Sequence, residues 1–298
     1  PLDDGFLNRF GFPYAVVHRA EFHRILLDLC RTSDLVSFRL KSKLVAYDQT
    51  DRHVEVLLAD GTRLRGTALI GADGLHSAVR RQLCGDGAPL VSGKSTYRTL
   101  IAADDMPEQL RWNAGVLWAG PKVHAVHYPL SGSRKLNLVA NCVDGCTVAH
   151  RGSAVDADVV QACFAGMAPE LQRLIARGRD WRHWVLCDRA PITRWVDHRV
   201  ALLGDAAHPM LQYFAQGACM AIEDALILAQ SLADHPDDPP AGLDAYQHQR
   251  HVRTARVQRM SRSVGDYICH ASGGLAAYRD RILARRTPER WHDVLEWI

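Results

Sequence analysis

The sequence predicts an α/β fold carrying an α+β insert, and three observations lead there. Two continuously apolar runs, "TALIGADG" (67–74) and "VALLGDAAHP" (200–209), each stop at a turn of glycine and aspartate before a helical pattern. Strands buried in an α/β sheet look like this, with their carboxyl ends opening into turns and helices. Between them, residues 94–185 change to short strands separated by Gly, Pro and Ser, the texture of a sheet-built insert. Beyond residue 217, two long helical patterns flank a Pro-rich corner, "DHPDDPP" (234–240).

In chain order, the opening "PLDDGFLNRFGFPY" (1–14) reads as a loop. In "AVVHRAEFHRILLDLC", Phe22, Ile25, Leu26 and Leu29 recur at helical spacing, so a helix begins near Arg19. "HVEVLLADGTRLRGTALIGADG" (53–74) predicts a strand, an Asp60-Gly61 hairpin turn, a second strand and a third. The third is too continuously apolar for a sheet edge, and a short helix, "SAVRRQLC" (77–84), leaves it. The insert supplies strands in "STYRTLIAA", "AGVLWAG", "KVHAVHYPL" and "KLNLVANCV", then helices in "DADVVQACFAGM" and "PELQRLIARG". A long helix is expected from about Ala218 to Leu232. The basic helix after it, "LDAYQHQRHVRTARVQRMSRSVGDYI" (243–268), is expected to present its charges as a solvated face. These patterns predict one domain from 1–93 and 186–235, an insert domain at 94–185 and a C-terminal helical segment at 236–298.

Composition narrows the function. With 298 residues, 47% hydrophobic and 23% charged, the chain has the make-up of a soluble globular protein. Its net charge of +3 is scattered rather than clustered, which excludes a dedicated nucleic-acid surface. No run reaches the ~18 apolar residues of a membrane span, and no leader pattern opens the chain. The eight cysteines lack CxxC spacing, so reduced thiols in a cytoplasmic protein are expected. His248 and His251 in "HQRH" have the spacing of a metal pair but no nearby carboxylate or thiol to complete it, and no metal is expected.

Two constellations suggest chemistry. Asp73 and Asp205 end apolar strands, where a carboxylate either accepts hydrogen bonds from sugar or polyol hydroxyls or caps the next helix. Gly217 and Ala218 open the helix of "MAIEDALILAQSL" (220–232). Its first N–H groups lack internal partners and carry the positive end of the helix dipole. A glycine there lets a ring lie against the backbone, and Pro209 with Ala206 and Ala207 suits a flat partner. In "KVHAVHYPL", alternation puts His124, Val126 and Tyr128 on one face and Val123, Ala125 and His127 on the other. His124 and Tyr128 form an acid–base pair, or His124 is a structural histidine of the sheet. Ser77 is no hydrolase nucleophile, because "GLHSAV" is not a G-x-S-x-G elbow.

Together, "GADGLHSAVR" (71–80) and "GDAAHPMLQYFAQGACMAIEDA" (204–225) resemble the FAD-dependent aromatic hydroxylases, single-component flavoprotein monooxygenases, through nearly all of the chain. The resemblance implies a truncated Rossmann-like FAD-binding domain, a β-sheet substrate domain and C-terminal helices. It implies that Asp205 holds a ribityl hydroxyl of FAD, that Gly217 and Ala218 offer N–H groups to the flavin pyrimidine edge, and that Pro209 lies beside the flavin. Asp73 belongs to a motif for FAD and nicotinamide binding, and Arg19 matches an FAD-contacting arginine. Within the family, "HAVHYPL" and "RDRILARRTPERWHDVLEWI" are most similar to hydroxylases converting 3-hydroxybenzoate to gentisate. Salicylate 1-hydroxylases and 6-hydroxynicotinate 3-monooxygenases share the motifs. That likeness implies His124 as base toward the phenol, Gln212 orienting the ring and Tyr128 lining the pocket, with NADH or NADPH and O2 as co-substrates. It also implies a cytoplasmic enzyme of aromatic catabolism and allows a homodimer. Arg98 in "TYRTLI" is a candidate partner for the substrate carboxylate.

The family's opening strand and G-x-G-x-x-G turn have no counterpart here. The likeness starts after its first βαβ unit, so bare apolar faces and a bare sheet edge are expected. A contrasting expectation follows: a non-catalytic remnant that serves as a binding module.

Overall fold

Hydrophobic spacing and helix-starting residues place most elements where the sequence suggests. The structure, a computed structural model, describes residues 4–106 and 108–297. Helices α1 (Asp4–Phe10) and α2 (Arg19–Arg31) precede strands β1 (Leu44–Gln49), β2 (Val54–Leu58), β3 (Arg63–Gly66) and β4 (Leu69–Gly71). Helix α3 (Ala78–Cys84) leads to β5 (Leu90–Ala102), β6 (Val116–Gly120), β7 (Val123–Leu130), β8 (Lys135–Val143) and β9 (Arg151–Ala154). Helices α4 (Ala157–Cys163) and α5 (Pro169–Arg177) come before β10 (Arg182–Asp188), β11 (Val196–Asp197) and β12 (Val200–Leu202). The remainder is helical: α6 (Gly217–Asp234), α7 (Pro239–Ser263), α8 (Gly273–Ala284) and α9 (Pro288–Leu295).

Contacts divide the chain into two units. One holds residues up to 37, 93–185 and from 266 onward; the other holds 38–92 and 186–265. This partition differs from the boundaries expected from composition. Residues up to 37 group with the insert sheet, and the whole of α7 groups with the strands ending at Asp73 and Asp205.

In the second unit, β12 pairs in parallel with β4 and antiparallel with β11. Val200, Ala201 and Leu202 are fully buried, as a continuous apolar run demands. Trp195, Leu228, Leu243 and Tyr246 pack in the same core cluster. β4, expected inside a sheet, is an outer strand of this three-stranded sheet among the described residues, with Leu69 and Ile70 half-buried. The Asp60-Gly61 turn joins β2 to β3 as expected: Gly61 takes φ +84° and Asp60 accepts the Thr62 N–H at 2.9 Å.

In the first unit, the six-stranded sheet runs β6-β7-β8-β5-β10-β9. Register makes its two faces different in kind. Tyr97, Ile101, Ala125, Leu136, Leu138, Ala140 and Cys142 point to one face and form a core with Val160 and Phe164 of the α4 region and Leu171, Leu174 and Ile175 of α5. The other face carries Thr96, Arg98, His124, Tyr128, Asn137 and Asn141 among valines and a leucine. The opening segment, expected as a loop, contains helix α1 instead. Phe6 and Phe10 stack one turn apart at 4.7 Å and meet His292, while Arg9 pairs with Asp293 and Glu296 of the α9 region at 2.7 and 3.0 Å. A seven-residue helix gains its stability from such docking, which local spacing does not reveal. On α2, by contrast, Ile25, Leu26 and Leu29 are exposed, as the expectation of bare apolar faces has it.

His127 sits on the apolar face, 1% exposed, stacked on Trp118 at 6.1 Å, and neither ring nitrogen has a hydrogen-bond partner among the described residues. Burial pushes its pKa down to about 4. The unfolded ring takes up a proton below pH ~6.5 that the folded ring refuses, so stability falls as pH drops from there toward 4. His127→Leu is expected to stabilise the protein by about 2 kcal/mol more at pH 5 than at pH 8. Urea unfolding at both pH values checks this; an equal effect at both would show that the folded ring titrates normally.

Candidate FAD and substrate site

Leu202 of β12 lies opposite Gly71 of β4, so the turns bearing Asp73 and Asp205 leave the same end of one small sheet. Gly71 is required by close approach: a Cβ there would stand 2.7 Å from Val79 Cβ on α3. Asp73 turns back onto that helix. Its Oδ1 accepts the Ser77 hydroxyl at 2.5 Å and its Oδ2 accepts the Ala78 N–H at 2.7 Å, while Ser77 Oγ caps the N–H of Arg80 at 2.8 Å. Asp73 and Ser77 therefore cap α3, the structural alternative for Asp73, and by holding the turn they keep the strand end open. Asp205 behaves differently. It is exposed on the short 3-10 turn Gly204–Ala206 and makes no hydrogen bond or ion pair among the described residues.

The turn that presents Asp205 is anchored from beneath by a fully buried carboxylate. Asp224 of α6 accepts the Gly204 N–H at 3.1 Å, His208 Nε2 at 2.5 Å and Arg250 Nε at 2.7 Å. Burial opposes ionisation of Asp224, yet the His208 and Arg250 hydrogen bonds outweigh it and hold its carboxyl below the usual range. Gly204 needs φ +60° to aim its N–H this way, and a Cβ there would crowd Ala221 at 3.2 Å. Arg80 Nη1 donates to the carbonyls of Ala206 and Ala207 at 3.1 and 2.8 Å. Gln258 Nε2 donates to the Pro209 carbonyl at 2.8 Å, and the Ser261 hydroxyl donates to Leu211. α7 is thus not simply a solvated basic helix. Arg250 is buried and pairs with Glu223 as well as Asp224, and Arg253 and Arg262 pair with Glu223 and Asp188. A basic residue on the inward face of α7 could persist only against acids supplied from elsewhere.

The inward-facing groups of residues 204–211 are therefore tied to protein, and the outward ones are not. Gln216 precedes α6 without a side-chain cap, and the N–H groups of Gly217 and Ala218 have no partner among the described residues. Gly217 has no steric need for glycine from the protein side, since a Cβ would make only ordinary contact with Met210 at 3.5 Å. An unpaired carboxylate, an uncapped helix end and a bare backbone between them fit FAD: a hydroxylated chain, a ring edge with hydrogen-bond acceptors and a flat body.

In the sheet unit, Thr96, Asn141 and His124 share one row across β5, β8 and β7; Arg98, Val139 and Val126 share the next; Leu100, Asn137 and Tyr128 the one after. Alternation puts His124 and Tyr128 on this face, together with Arg98, whose guanidinium lies 5.7 Å from the Trp184 ring. His124 is 3% exposed; its Nδ1 lies 2.7 Å from His270 Nε2 and its Nε2 lies 3.0 Å from Asn141 Nδ2. The ordinary histidine pKa expected for His124 does not survive this setting. Burial, with the charges of His270 and Lys94 adding to it, drives its pKa down to about 3. Of the residues singled out in the sequence, Arg19, His124 and Tyr128 lie in the sheet unit; Asp73, Asp205, Pro209, Gln212, Gly217 and Ala218 lie in the other. His248 and His251 turn Nδ1 onto the carbonyls of Asp244 and Gln247, one helical turn back. Asp224, Arg80, Arg250 and His270 escaped sequence reasoning. Asp224 did leave a signal: it falls between Met220 and Leu228 on the buried stripe of α6, where a charge demands partners.

Comparison with known proteins identifies the family. A family described as FAD binding domain matches residues 11–261. The chain is 47% identical to 3-hydroxybenzoate 6-hydroxylase 1 of Aquipseudomonas alcaligenes, over all of this chain and 75% of that protein. It is 37% identical to 3-hydroxybenzoate 6-hydroxylase of Klebsiella oxytoca, over 98% of this chain and 73% of that one. Among solved structures, Klebsiella pneumoniae HpxO complexed with FAD and uric acid is 28% identical with a TM-score of 0.82, covering 96% of this chain and 72% of that chain. The chain belongs to the FAD binding domain family and, within it, to the FAD-dependent aromatic hydroxylases. It is a flavoprotein monooxygenase.

Two substitutions separate holding the cofactor from holding the loop. Asp205→Ala is expected to weaken FAD binding at least about tenfold, the scale of one hydrogen bond to a charged group, while leaving the melting temperature of FAD-free protein nearly unchanged. Asp224→Ala strands buried Arg250 and is expected to destabilise the FAD-free protein itself by about 3–5 kcal/mol. Flavin fluorescence titration and thermal unfolding of both variants check the contrast; a large stability loss in Asp205→Ala would mean that its carboxylate supports the fold.

Proposed function

We propose that this chain hydroxylates 3-hydroxybenzoate at the carbon para to its hydroxyl, giving 2,5-dihydroxybenzoate (gentisate), with NAD(P)H and O2 as co-substrates. The observation that carries this reading is that four relatives named as 3-hydroxybenzoate 6-hydroxylases are 37–47% identical over 98–100% of the chain. Bound FAD supplies electron transfer from NAD(P)H and the activation of O2. In this reading Asp205 and the N–H groups of Gly217 and Ala218 hold it, Arg19 adds a cationic contact, and Asp73 and Pro209 shape the turns beside it. Gln212 orients the aromatic ring by hydrogen bonding, Tyr128 lines the pocket, and Arg98 is placed to meet the carboxylate.

His124 acts as the base, and its electrostatics decide when. A neutral imidazole with a pKa of about 3 cannot pre-ionise a phenol of pKa ~10, because that transfer is uphill by about 10 kcal/mol. It can accept a hydrogen bond from the phenol in the resting complex once the phenol hydroxyl displaces the Asn141 amide from its acceptor nitrogen. As the ring gives up electron density at the para carbon, the hydroxyl becomes strongly acidic, and even a weak base then takes its proton. The phenol oxygen donates electron density to the ortho and para positions, and the placement of the ring selects the para carbon between them. Eight free thiols and the absence of a membrane-spanning helix among the described residues support work in the cytoplasm.

Purified protein reconstituted with FAD and supplied with NADH and 3-hydroxybenzoate is expected to form 2,5-dihydroxybenzoate, identified by chromatography and mass. Faster turnover of salicylate or 6-hydroxynicotinate overturns the substrate assignment, and protein that stays colourless with added FAD supports a non-catalytic module. His124→Phe is expected to slow hydroxylation by ~10²-fold or more and divert NADH oxidation to H2O2; an unchanged product yield per NADH removes His124 from the reaction.

A further inference from the structure

His124 is gripped from two directions, and one of the grips, His270, has no part in the chemistry described so far. His270 follows the π-helical turn Val264–Cys269 that succeeds α7. Such turns are uncommon and recur where a side chain must be aimed. The two imidazoles lie with centroids 4.7 Å apart and planes inclined by 52°, and the Nδ1···Nε2 separation is 2.7 Å. Asn141 presents its amide Nδ2 to the other nitrogen of His124 at 3.0 Å. An amide N–H donates only, so His124 Nε2 is the acceptor there. The single proton of the neutral ring then sits on Nδ1 and is donated to His270 Nε2. All three side chains are at most 9% exposed, so water does not readily replace any of them. The charged groups facing the pair are Lys94 of β5 and Asp266 of the π-helical turn, joined to each other at 2.7 Å. Lys94 disfavours a proton on either ring and Asp266 eases that effect at His270.

We propose that His270 is a positioning residue of this hydroxylase: by accepting the Nδ1 proton of His124, it keeps Nε2 of that ring unprotonated, an acceptor that the Asn141 amide occupies and that a phenol hydroxyl takes over when it displaces that amide. The functional half of this proposal rests on the reading of His124 as the base; the proton's location on the ring does not. Without an acceptor at 270, a proton on Nδ1 would be buried unpaired. The ring would shift toward the Nε2–H form, whose proton points at the Asn141 amide and cannot accept from a phenol.

The tautomer can be read directly. In the full chain with FAD bound and histidines labelled with 15N, long-range N–H correlation spectra at pH 7.5 are expected to show His124 as one Nδ1–H form. His270→Phe is expected to convert much of it to the Nε2–H form. His270→Asn, whose amide oxygen can still accept, is expected to restore Nδ1–H. In turnover, His270→Phe is expected to lower kcat ~10–100-fold with the KM for NADH unchanged, the scale seen when an outer partner of a working histidine is removed; His270→Asn recovers most of that loss. An Nε2–H form in the wild type, or a His270→Phe protein with unaltered tautomer and kcat, overturns the proposal. If His270→Phe does not fold, the wild-type tautomer and the His270→Asn variant decide it. A wild type that shows the Nδ1–H form but hydroxylates no phenolic acid counts against the functional reading and leaves the hold of His270 on His124 intact.

Discussion

A buried carboxylate with three donors organises the unit that carries Asp205 and Gly217. Asp224 is fully inaccessible, and an ion in that position persists only if its surroundings replace the water it has lost. Gly204, His208 and Arg250 do so from three places in the chain: the end of β12, the turn after it and α7. Once those partners are engaged, the path from residue 204 to 208 has little freedom, and Asp205 is left pointing outward because its neighbours are committed inward. The exposed carboxylate is therefore a consequence of the buried one. The same reasoning applies at 209–211, where Gln258 and Ser261 use up the carbonyls of Pro209 and Leu211 and the chain arrives at α6 with its first N–H groups unclaimed.

The sheet unit is organised by a different constraint, the two-sidedness of a sheet. One face is committed to a core of Leu136, Leu138, Phe164 and Leu174, and the polar side chains on that face fare unequally. Ser95 and Thr99 find partners in His183 and the Arg179 carbonyl, whereas the His127 imidazole has no hydrogen-bond partner among the described residues. His124, three positions earlier on the opposite face, is equally buried but held at both nitrogens. Burial lowers the pKa of both rings, and only His124 is fixed by hydrogen bonds at its nitrogens.

Patterns carried by adjacent residues were legible in the sequence. The Asp60-Gly61 turn, Ser77 ahead of α3, the Pro-rich corner before α7 and the alternation of β7 all emerge in the structure. Interactions between distant residues were not legible. Nothing local in "DGFLNRF" announces a helix, because its stability comes from contacts with His292 and Asp293. The basic stretch after Leu243 reads as solvent-facing because its acidic partners, Asp188, Glu223 and Asp224, lie elsewhere in the chain. His124 could be picked out as a residue of interest, but its pKa depends on burial and on Lys94 and His270, none of which spacing encodes.

The two units solve opposite electrostatic problems. In the proposed reading, the unit that holds FAD offers it the Asp205 carboxylate and the positive end of a helix dipole at Gly217, neither with an internal partner among the described residues. Toward the phenol, a fixed charge on the base would be a hindrance. An imidazolium has no lone pair to accept a hydrogen bond, and a strong base would ionise the phenol long before the ring is poised to react. A buried histidine kept neutral by its setting and fixed in one tautomer by its neighbours avoids both. In the proposed reading such a histidine is inert at rest and becomes a proton acceptor only when the reacting ring makes the phenol acidic enough, which ties the proton's departure to the arrival of oxygen at the para carbon.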